Sequence, residues 1–367
     1  MSDRRGYAYS DRARYEISVN DLDAYGTVAD ALNRDGYDVL SVQHEYGIFG
    51  GSAGCDLLNL VRRAKMPITT TLHTVLSDPS DSQKAVMDEL LQISSRVVVM
   101  SRKAIDMLQD VHQTPVSKID LIPHGIPKIH ETTGQEFRTL LDIDGPMILT
   151  FGLLSPDKGI QYAIRAMVDI VREHPGATYI VVGATHPAVQ VESGETYRES
   201  LVNLACDLGV ATSIRFVDRF VSIEELVQFL GAMDVYITPY LNPKQITSGT
   251  LAYAVGAGKA VISTPYIYAQ EMLDGGRGML VPFRNAERIS DSVLALERQP
   301  DAKREMGRRA AEFGKQMLWP EVGKKYLASF TKSLSPTQPE IVQQLATQCL
   351  PISTSKSLGW RLSSAAQ

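Results

Sequence analysis

Residues 147–160 read MILTFGLLSPDKGI, and this stretch decides the fold class. An apolar run with little polar alternation ends in glycine and is followed by Ser155-Pro156-Asp157, a typical helix-start signal. The next residues, 160–173, have the spacing of an amphipathic helix. This order predicts a strand buried on both faces that leads directly into a helix, which is the building unit of a parallel sheet.

The same alternation extends in both directions from this stretch and predicts an α/β protein made of two doubly wound parallel sheets. The predicted helices include residues 81–93, 160–173, 224–230 and 288–297. The predicted strands are residues 15–19, 38–43, 68–73, 96–100 and 119–123, followed by 147–152, 178–183, 213–217, 235–238, 260–264 and 278–282. The periodicity lapses over residues 127–146, so we place the boundary between the sheets there and expect a cleft at the carboxyl ends of their strands.

The composition of the chain disfavours several classes of protein. The chain has 367 residues, of which 44% are hydrophobic and 22% charged, which is typical of a globular protein of two domains. A net charge of -5 disfavours a nucleic-acid partner. Three scattered cysteines favour neither a disulfide framework nor a metal site. With no apolar run of membrane-spanning length and no secretory signal, the expected location is the cytoplasm.

Lys158 is the first candidate site residue. A lysine in the first turn of a helix is electrostatically misplaced, because the amino end of a helix already carries partial positive charge. A phosphate bound at this point would explain the lysine. The alternative is an ordinary solvated lysine.

A second candidate follows the predicted strand 235–238, where the chain reads PYLNPKQITSGTLAYAVGAGKAVISTPY over residues 239–266. Ser248 or Thr247 is a suitable N-cap, and the free amides of Gly249 and Thr250 then point toward the cleft. The alternative is an ordinary capped helix with no ligand.

The glycine-rich residues 44–54, HEYGIFGGSAG, form the third candidate. Glycines between a strand and a helix let backbone amides approach a ligand, so we expect Glu45, Gly50 and Gly51 on the acceptor side of the cleft. Two alternatives stay open, a purely structural turn and a serine hydrolase using Ser52 in a G-x-S-x-G elbow. Ser52 lies several residues beyond its strand, which disfavours the elbow.

Taken in order, these segments resemble the GT-B glycosyltransferases, and among them the retaining family 4. The resemblance covers approximately residues 37–334 and rests on five segments. These are QHEYGIFGG, TTLHT, LIPHGI, FGLLSPDKGI and SGTLAYAVGAGKAVISTP. It implies an N-terminal acceptor-side domain over residues 1–142, shorter than usual at its start, and a nucleotide-sugar domain over 143–318. A helix over 319–334 would cross back to the first domain, and we expect residues 335–367 to be a disordered tail.

The family's motifs can be carried over residue by residue. Lys158 matches the lysine of the family's diphosphate-binding Arg/Lys pair, whereas Leu153 stands in place of the arginine. Gln245 and Tyr253 replace the two glutamates of a Glu-x7-Glu motif. With the strand ends included, the expected donor contacts are Gly152, Lys158, Gly183, Arg219, Ser248, Gly249, Thr250, Tyr253 and Glu271. His73 matches a histidine over the transferred sugar, and His124 replaces the asparagine of a frequent Pro-Asn-Gly.

The resemblance implies a hexosyltransferase of carbohydrate biosynthesis that retains anomeric configuration, with His73, Lys158 and Gln245 as catalytic residues. The donor would be a nucleotide-diphosphate sugar, and the acceptor a glycan, a lipid or a small molecule. A lipid acceptor would entail peripheral contact with a membrane. We expect no cofactor and no metal. A sugar-nucleotide-binding relative with impaired catalysis is the main alternative, since the arginine and both glutamates are replaced.

Overall fold

Two parallel sheets with helices on both faces make up the architecture, which confirms the α/β prediction. The computed structural model describes residues 12–19, 21–129 and 132–334. The predicted tail, 335–367, lies outside these residues. Within them, no helix combines the length and the apolar character that crossing a membrane requires.

The N-terminal sheet has four strands in the order β1-β2-β3-β4. Its strands are β1 (Leu40–His44), β2 (Ile68–Leu72), β3 (Arg96–Val99) and β4 (Ile119–Leu121). The helices that accompany it are α1 (Leu22–Asp35), α2 (Leu57–Val61), α3 (Asp81–Ile93) and α4 (Arg102–His112). Their apolar side chains pack on one face of the sheet, where Val42, Val97 and Val99 join one hydrophobic cluster.

The C-terminal sheet has six strands in the order β10-β9-β8-β5-β6-β7. The strands are β5 (Met147–Phe151), β6 (Thr178–Val182), β7 (Ile214–Val217), β8 (Val235–Thr238), β9 (Ala260–Ser263) and β10 (Met279–Leu280). Alternate residues of β5 enter two separate hydrophobic clusters, Ile148 in one and Leu149 in the other. The sheet is therefore buried on both faces, as its continuous apolar runs predict.

Within the part of the chain that the structure describes, ten α-helices follow the N-terminal ones. They are α5 (Thr132–Leu140), α6 (Ile160–Glu173), α7 (Pro187–Ser193), α8 (Thr196–Asp207), α9 (Ile223–Ala232), α10 (Gly249–Gly256), α11 (Ile267–Leu273), α12 (Ala286–Arg298), α13 (Pro300–Gly314) and α14 (Trp319–Leu334). The predicted bounds of 81–93 and 160–173 coincide with α3 and α6.

The last helix, α14, covers the second face of the N-terminal sheet. Buried threonines of β2 bond to it, with Thr69 Oγ1 2.7 Å from Ser333 Oγ and Thr71 Oγ1 3.0 Å from the Tyr326 hydroxyl. Asp120 of β4 accepts from Ser329 Oγ at 2.8 Å. These bonds satisfy polar groups that would otherwise be buried without partners.

Two parts of the sequence prediction differ from the structure. Residues 15–19 form no strand, because the Tyr15 side chain is exposed and its hydroxyl bonds to Asp35 beyond the sheet. Residues 127–146 contain α5, although the sequence shows no clear period there. Phe137 of this short helix packs edge-to-face on Phe229 of α9. A single aromatic residue does not produce a hydrophobic period that can be detected in the sequence.

Glu271 of α11 joins the two sheets across the cleft. Both of its carboxylate oxygens accept from the backbone N–H of Arg102, at 3.0 and 2.9 Å, at the amino end of α4. Ser101 caps the same end, accepting from the Ala104 N–H at 3.2 Å. A carboxylate at this end is stabilising because it meets unpaired amides and the positive end of the helix dipole.

We expect the substitution Glu271→Ala to lower the free energy of unfolding by about 1–2 kcal/mol, the usual cost of losing a helix cap. Glu271→Gln, which keeps an oxygen acceptor but no charge, should have a smaller effect. Thermal unfolding measures the stability, and hydrogen exchange reports the amides of residues 102 and 103. Glu312→Ala, at an exposed surface carboxylate, is the control. Unchanged exchange at those two amides would show that the carboxylate does not hold them.

Candidate functional site

A cavity of about 490 Å³ lies between the carboxyl ends of the two sheets. Its lining comes from both halves of the chain. The N-terminal half contributes Glu45, His73, Thr74, Leu76 and His124, and the loop after β8 contributes Asn242, Lys244, Gln245, Ile246, Thr247 and Gly249. The structure thus brings together five of the residues that the sequence analysis proposes, namely Glu45, His73, His124, Gln245 and Gly249.

Lys158 lies in a separate, narrow space with no room for a water molecule, which Gly152, Leu153 and Tyr240 also line. Its ammonium nitrogen is 3.8 Å from the centroid of the Tyr240 ring. Among the described residues no carboxylate forms an ion pair with it. A cation over an aromatic face is attracted to the ring but is not neutralised, so it can still attract an anion.

The backbone fixes this lysine in place. Residues Pro156–Lys158 form a 3-10 turn, and Gly159 follows with φ 63°. A Cβ at Gly159 would lie 2.2 Å from the carbonyl oxygen of Pro239, so only glycine fits between the turn and the end of β8. The Leu241 N–H donates to the Asp157 carbonyl at 2.8 Å and ties the two loops together.

Tyr240 connects Lys158 to the amino end of α10. The Tyr240 ring is buried, and its hydroxyl lies 2.9 Å from Thr250 Oγ1, which is 3.1 Å from Ser248 Oγ. Ser248 caps α10 by accepting from the Leu251 N–H at 3.3 Å, as the sequence predicts. Tyr240 therefore contacts the lysine ammonium through its ring and the amino end of α10 through its hydroxyl.

Gly152 and Gly183 end β5 and β6 next to this network. The Gly152 N–H donates to the Val182 carbonyl at 2.9 Å, and a Cβ at Gly183 would lie 2.1 Å from the Gly152 oxygen. Because both residues are glycines, no side chain covers the backbone at the carboxyl ends of β5 and β6. A ligand could approach the backbone closely at this point.

Across the cavity, His73 and Glu45 are held by hydrogen bonds. His73 Nε2 is 2.9 Å from Gln43 Oε1, and burial lowers the pKa of His73 while the charge of Glu45 raises it. Glu45 accepts from the Thr74 hydroxyl at 2.6 Å and from the Tyr46 N–H at 3.0 Å. The lowered pKa favours a neutral imidazole at pH 7.

His124 belongs to the contact between the two halves. Its Nδ1 bonds to the Gly125 carbonyl at 2.8 Å, and burial lowers its pKa. A Cβ added to Gly249 would lie 2.8 Å from His124 Nε2, so the ring packs directly on the start of α10. The Tyr253 ring stands edge-on to His124, with centroids 5.9 Å apart, and burial raises the pKa of the Tyr253 hydroxyl.

Other sequence-predicted residues have different surroundings. Arg219 is exposed, and its guanidinium forms an ion pair with Glu225 at 2.5 and 2.7 Å. The arginine charge that was expected to act beside Lys158 is therefore neutralised by this carboxylate. Glu271 bonds to the amino end of α4 instead of standing free for a ribose. Gln245 lines the cavity, but its amide nitrogen donates to the Thr247 carbonyl at 3.0 Å.

The glycine-rich segment serves mainly the interior of the N-terminal half. The Gly50 N–H donates to the buried hydroxyl of Tyr25 at 3.0 Å. A Cβ at Gly51 would lie 2.5 Å from Cys55 Sγ, and this glycine has φ 77°. Ser52 begins a short 3-10 turn, and no described histidine or carboxylate bonds to it. The segment therefore supports the structural alternative better than the hydrolase.

Sequence reasoning missed two contributors to the site, Tyr240 and Gln43. Each follows or ends a strand, as site residues in parallel sheets do, but neither residue type signals a ligand by itself. His44 was also not singled out. It is fully buried, neither ring nitrogen has a described partner, and burial lowers its pKa to about 4.

Comparisons with known proteins agree with this arrangement. Residues 145–299 match the family described as "Glycosyl transferases group 1", and residues 7–128 match "Glycosyltransferase Family 4". The D-inositol 3-phosphate glycosyltransferase of Acidothermus cellulolyticus is 25% identical over 87% of this chain and 73% of its own length. An uncharacterised glycosyltransferase of Methanocaldococcus jannaschii is 27% identical over 57% of this chain and 53% of its own.

Solved structures share the fold. A glycosyltransferase from Rickettsia africae superposes with a TM-score of 0.70 at 16% identity, covering 88% of this chain and 85% of its own. The Anabaena protein HepE, solved in complex with UDP-glucose, has a TM-score of 0.68 at 16% identity, with 87% and 85% covered. Since the two family matches together span both sheets and the cavity between them, the chain belongs to the GT-B glycosyltransferases of the family 4 type.

Proposed function

We propose that the chain transfers a hexose from a nucleotide-diphosphate sugar to an acceptor hydroxyl, with retention of configuration and without a metal ion. The acceptor belongs to the glycans, lipids or small molecules. Support for the donor class comes from HepE, which was solved with UDP and with UDP-glucose. The observation that carries the proposal is the Lys158 ammonium, which has no carboxylate partner among the described residues and lies over Tyr240, whose hydroxyl bonds to Thr250 at the amino end of α10.

Departure of the diphosphate is the step that this lysine assists. Breaking the bond between the anomeric carbon and the phosphate oxygen leaves negative charge on the leaving group, which needs fixed donors and cations. One ammonium about 4 Å from a phosphate contributes an attraction of roughly 4 kcal/mol at an effective dielectric near 20, before desolvation. The amides of Gly249 and Thr250 add to it.

The acceptor hydroxyl attacks the anomeric carbon on the face from which the diphosphate leaves. A bond from the acceptor oxygen to the anomeric carbon forms as the sugar–phosphate bond breaks, and the acceptor proton passes to a phosphate oxygen. The products are the glycoside and a nucleoside diphosphate, so atoms and charge balance. His73 and Gln245 position the sugar, and Glu45 lies on the acceptor side of the same cavity.

Independence of a metal fits the residues that are present. Among the described residues, no three His, Cys, Asp or Glu side chains are grouped closely enough to hold an ion. The positive charge at the diphosphate would instead come from Lys158 and from helix amides.

Two observations favour a second candidate, a relative that binds sugar nucleotides with little turnover. Leu153, which lines the narrow space beside Lys158, stands where the family has an arginine. The Gln245 amide nitrogen donates to the Thr247 carbonyl and is therefore less available to a sugar hydroxyl. This candidate predicts nucleotide binding without transfer. Titration of nucleotide sugars followed by product analysis distinguishes the two.

We expect Lys158→Met to weaken binding of a nucleoside diphosphate by about 10-fold to 100-fold, since a hydrogen bond to a charged group contributes about 1.5–3 kcal/mol. Methionine preserves the apolar contact with the Tyr240 ring. Isothermal titration with UDP, GDP and ADP measures the change. Lys315→Met, at an exposed lysine paired with Glu312, is the matched control. Equal affinities in the two variants would rule out Lys158 as the phosphate cation.

Leu153→Arg should have the opposite effect on the same titration. This substitution restores the family's second cation in the space that Lys158 already lines. We expect tighter diphosphate binding by about 5-fold to 50-fold, because a second charged donor would meet the same group. The double variant Leu153→Arg with Lys158→Met should fall between the single ones. Weaker binding in Leu153→Arg alone would place the diphosphate elsewhere.

The pH dependence of transfer should follow His73. Burial lowers its pKa below the usual 6.5, so the imidazole is neutral at pH 7 and gains a proton only on acidification. Protonation removes its lone pair and adds positive charge beside the sugar. We therefore expect kcat/KM to be level above neutrality and to fall at acidic pH with an apparent pKa below 6.5. His73→Gln should lose this acidic limb, and a limb that survives the substitution would belong to another group.

A further inference from the structure

A chain of hydrogen bonds runs from the cavity to α14, the last helix of the described residues. His73 Nε2 is 2.9 Å from Gln43 Oε1. Gln43 Nε2 donates to Thr71 Oγ1 at 3.2 Å, and Thr71 Oγ1 lies 3.0 Å from the Tyr326 hydroxyl. Gln43 lies in β1, Thr71 lies in β2 with His73 directly after it, and α14 supplies Tyr326.

The donor and acceptor order along these hydrogen bonds determines which ring nitrogen of His73 carries the proton. A glutamine amide has one end that donates and one that accepts, and the donating end of Gln43 faces Thr71. Its carbonyl oxygen, which can only accept, therefore faces His73. In this orientation of the Gln43 amide, Nε2 carries the proton and the lone pair lies on Nδ1, which has no described partner. The imidazole then offers an acceptor to a hydroxyl donor.

We propose that Gln43, supported by Thr71 and Tyr326, is a positioning residue that holds His73 as the Nε2–H tautomer, with Nδ1 ready to accept from a sugar hydroxyl. The sugar contact rests on the function proposed above, whereas the tautomer does not. The second tautomer would place a proton on Nδ1, which would then donate to a hydroxyl oxygen instead of accepting a hydroxyl proton. Gln43 thus decides whether the ring accepts or donates.

The groups around the His73 ring do not by themselves select one neutral tautomer. His73 faces Glu45, His44, His124 and Lys244 in or beside the cavity, so its electrostatic environment contains both signs of charge. None of these groups forms a described hydrogen bond with the ring. Without Gln43, little in this part of the chain would select one neutral tautomer, because the two differ only slightly in energy.

Nitrogen NMR of the histidine rings tests the tautomer directly, with His73 assigned by its absence in His73→Gln. We expect the protein to show a protonated Nε2 and an unprotonated Nδ1 at neutral pH. Gln43→Met, close in shape but unable to accept, should give a mixture of tautomers and lower kcat/KM about 5-fold to 10-fold, as loss of one hydrogen bond does. Gln109→Met, at an exposed glutamine of α4, should change neither.

Gln43→Glu is the conservative rescue. Its carboxylate still accepts from Nε2, so the tautomer should persist, and the added negative charge should raise the pKa of His73 and move the acidic limb of the pH profile upward. Tyr326→Phe should lower kcat/KM only about 2-fold to 5-fold, because Thr71 still supports Gln43. Thermal unfolding confirms that each variant is folded.

A proton on Nδ1 in the unaltered protein, or an unchanged tautomer in Gln43→Met, would overturn the proposal. These NMR results do not depend on turnover. If the tautomer is as expected but no nucleotide sugar binds, the proposed function fails and the role of Gln43 stands. If transfer occurs and the tautomer differs, the reverse holds.

Discussion

An ammonium group with no described carboxylate partner, held 3.8 Å above a buried tyrosine ring, is the interaction on which the site depends. The ring limits where Lys158 can go without cancelling its charge. The hydroxyl of the same ring reaches Thr250, and Ser248 caps α10 from the same network. One aromatic residue thus places a side-chain cation beside the unpaired amides of a helix, a combination that suits a diphosphate.

The fold supplies the opposite side of the site. Two parallel sheets meet with their carboxyl ends toward one cavity, so His73 and Gln245 line the same space although they are far apart in the chain. The contacts across it are specific: Glu271 bonds to the first turn of α4, and Gly249 packs on His124. The last helix adds a third connection, since α14 bonds to buried threonines of β2. The geometry of the cavity therefore depends on contacts outside it.

Local patterns predicted much of the fold because its strands are buried on both faces. Continuous apolar runs mark β5 and β6, and the Ser-Pro-Asp signal places the start of the helix at Ile160. The errors occur where burial is partial. The predicted strand 15–19 has an exposed tyrosine bonded to Asp35, and α5 is held by the packing of Phe137 on Phe229 and by the ion pair of Arg138 with Asp234. Lys158 was singled out because its residue type conflicts with its position at a helix start, and its role at a diphosphate stays a prediction.

The surroundings of the other site residues are set by tertiary contacts, which no local sequence pattern indicates. Glu271 has the residue type of a ribose ligand, but its position puts the carboxylate on the amides of α4. Arg219 has the charge expected at the diphosphate and is instead paired with Glu225. The bond from Gln43 to His73 joins the ends of two neighbouring strands, and only the register of β1 on β2 reveals it.

A crystal structure with a bound nucleoside diphosphate tests the central claim most directly. We expect a phosphate oxygen within hydrogen-bonding distance of Lys158 Nζ and of the Gly249 or Thr250 N–H, with the Tyr240 ring still beneath the ammonium. A diphosphate bound at another place in the cleft, with Lys158 making no contact to it, would contradict the account.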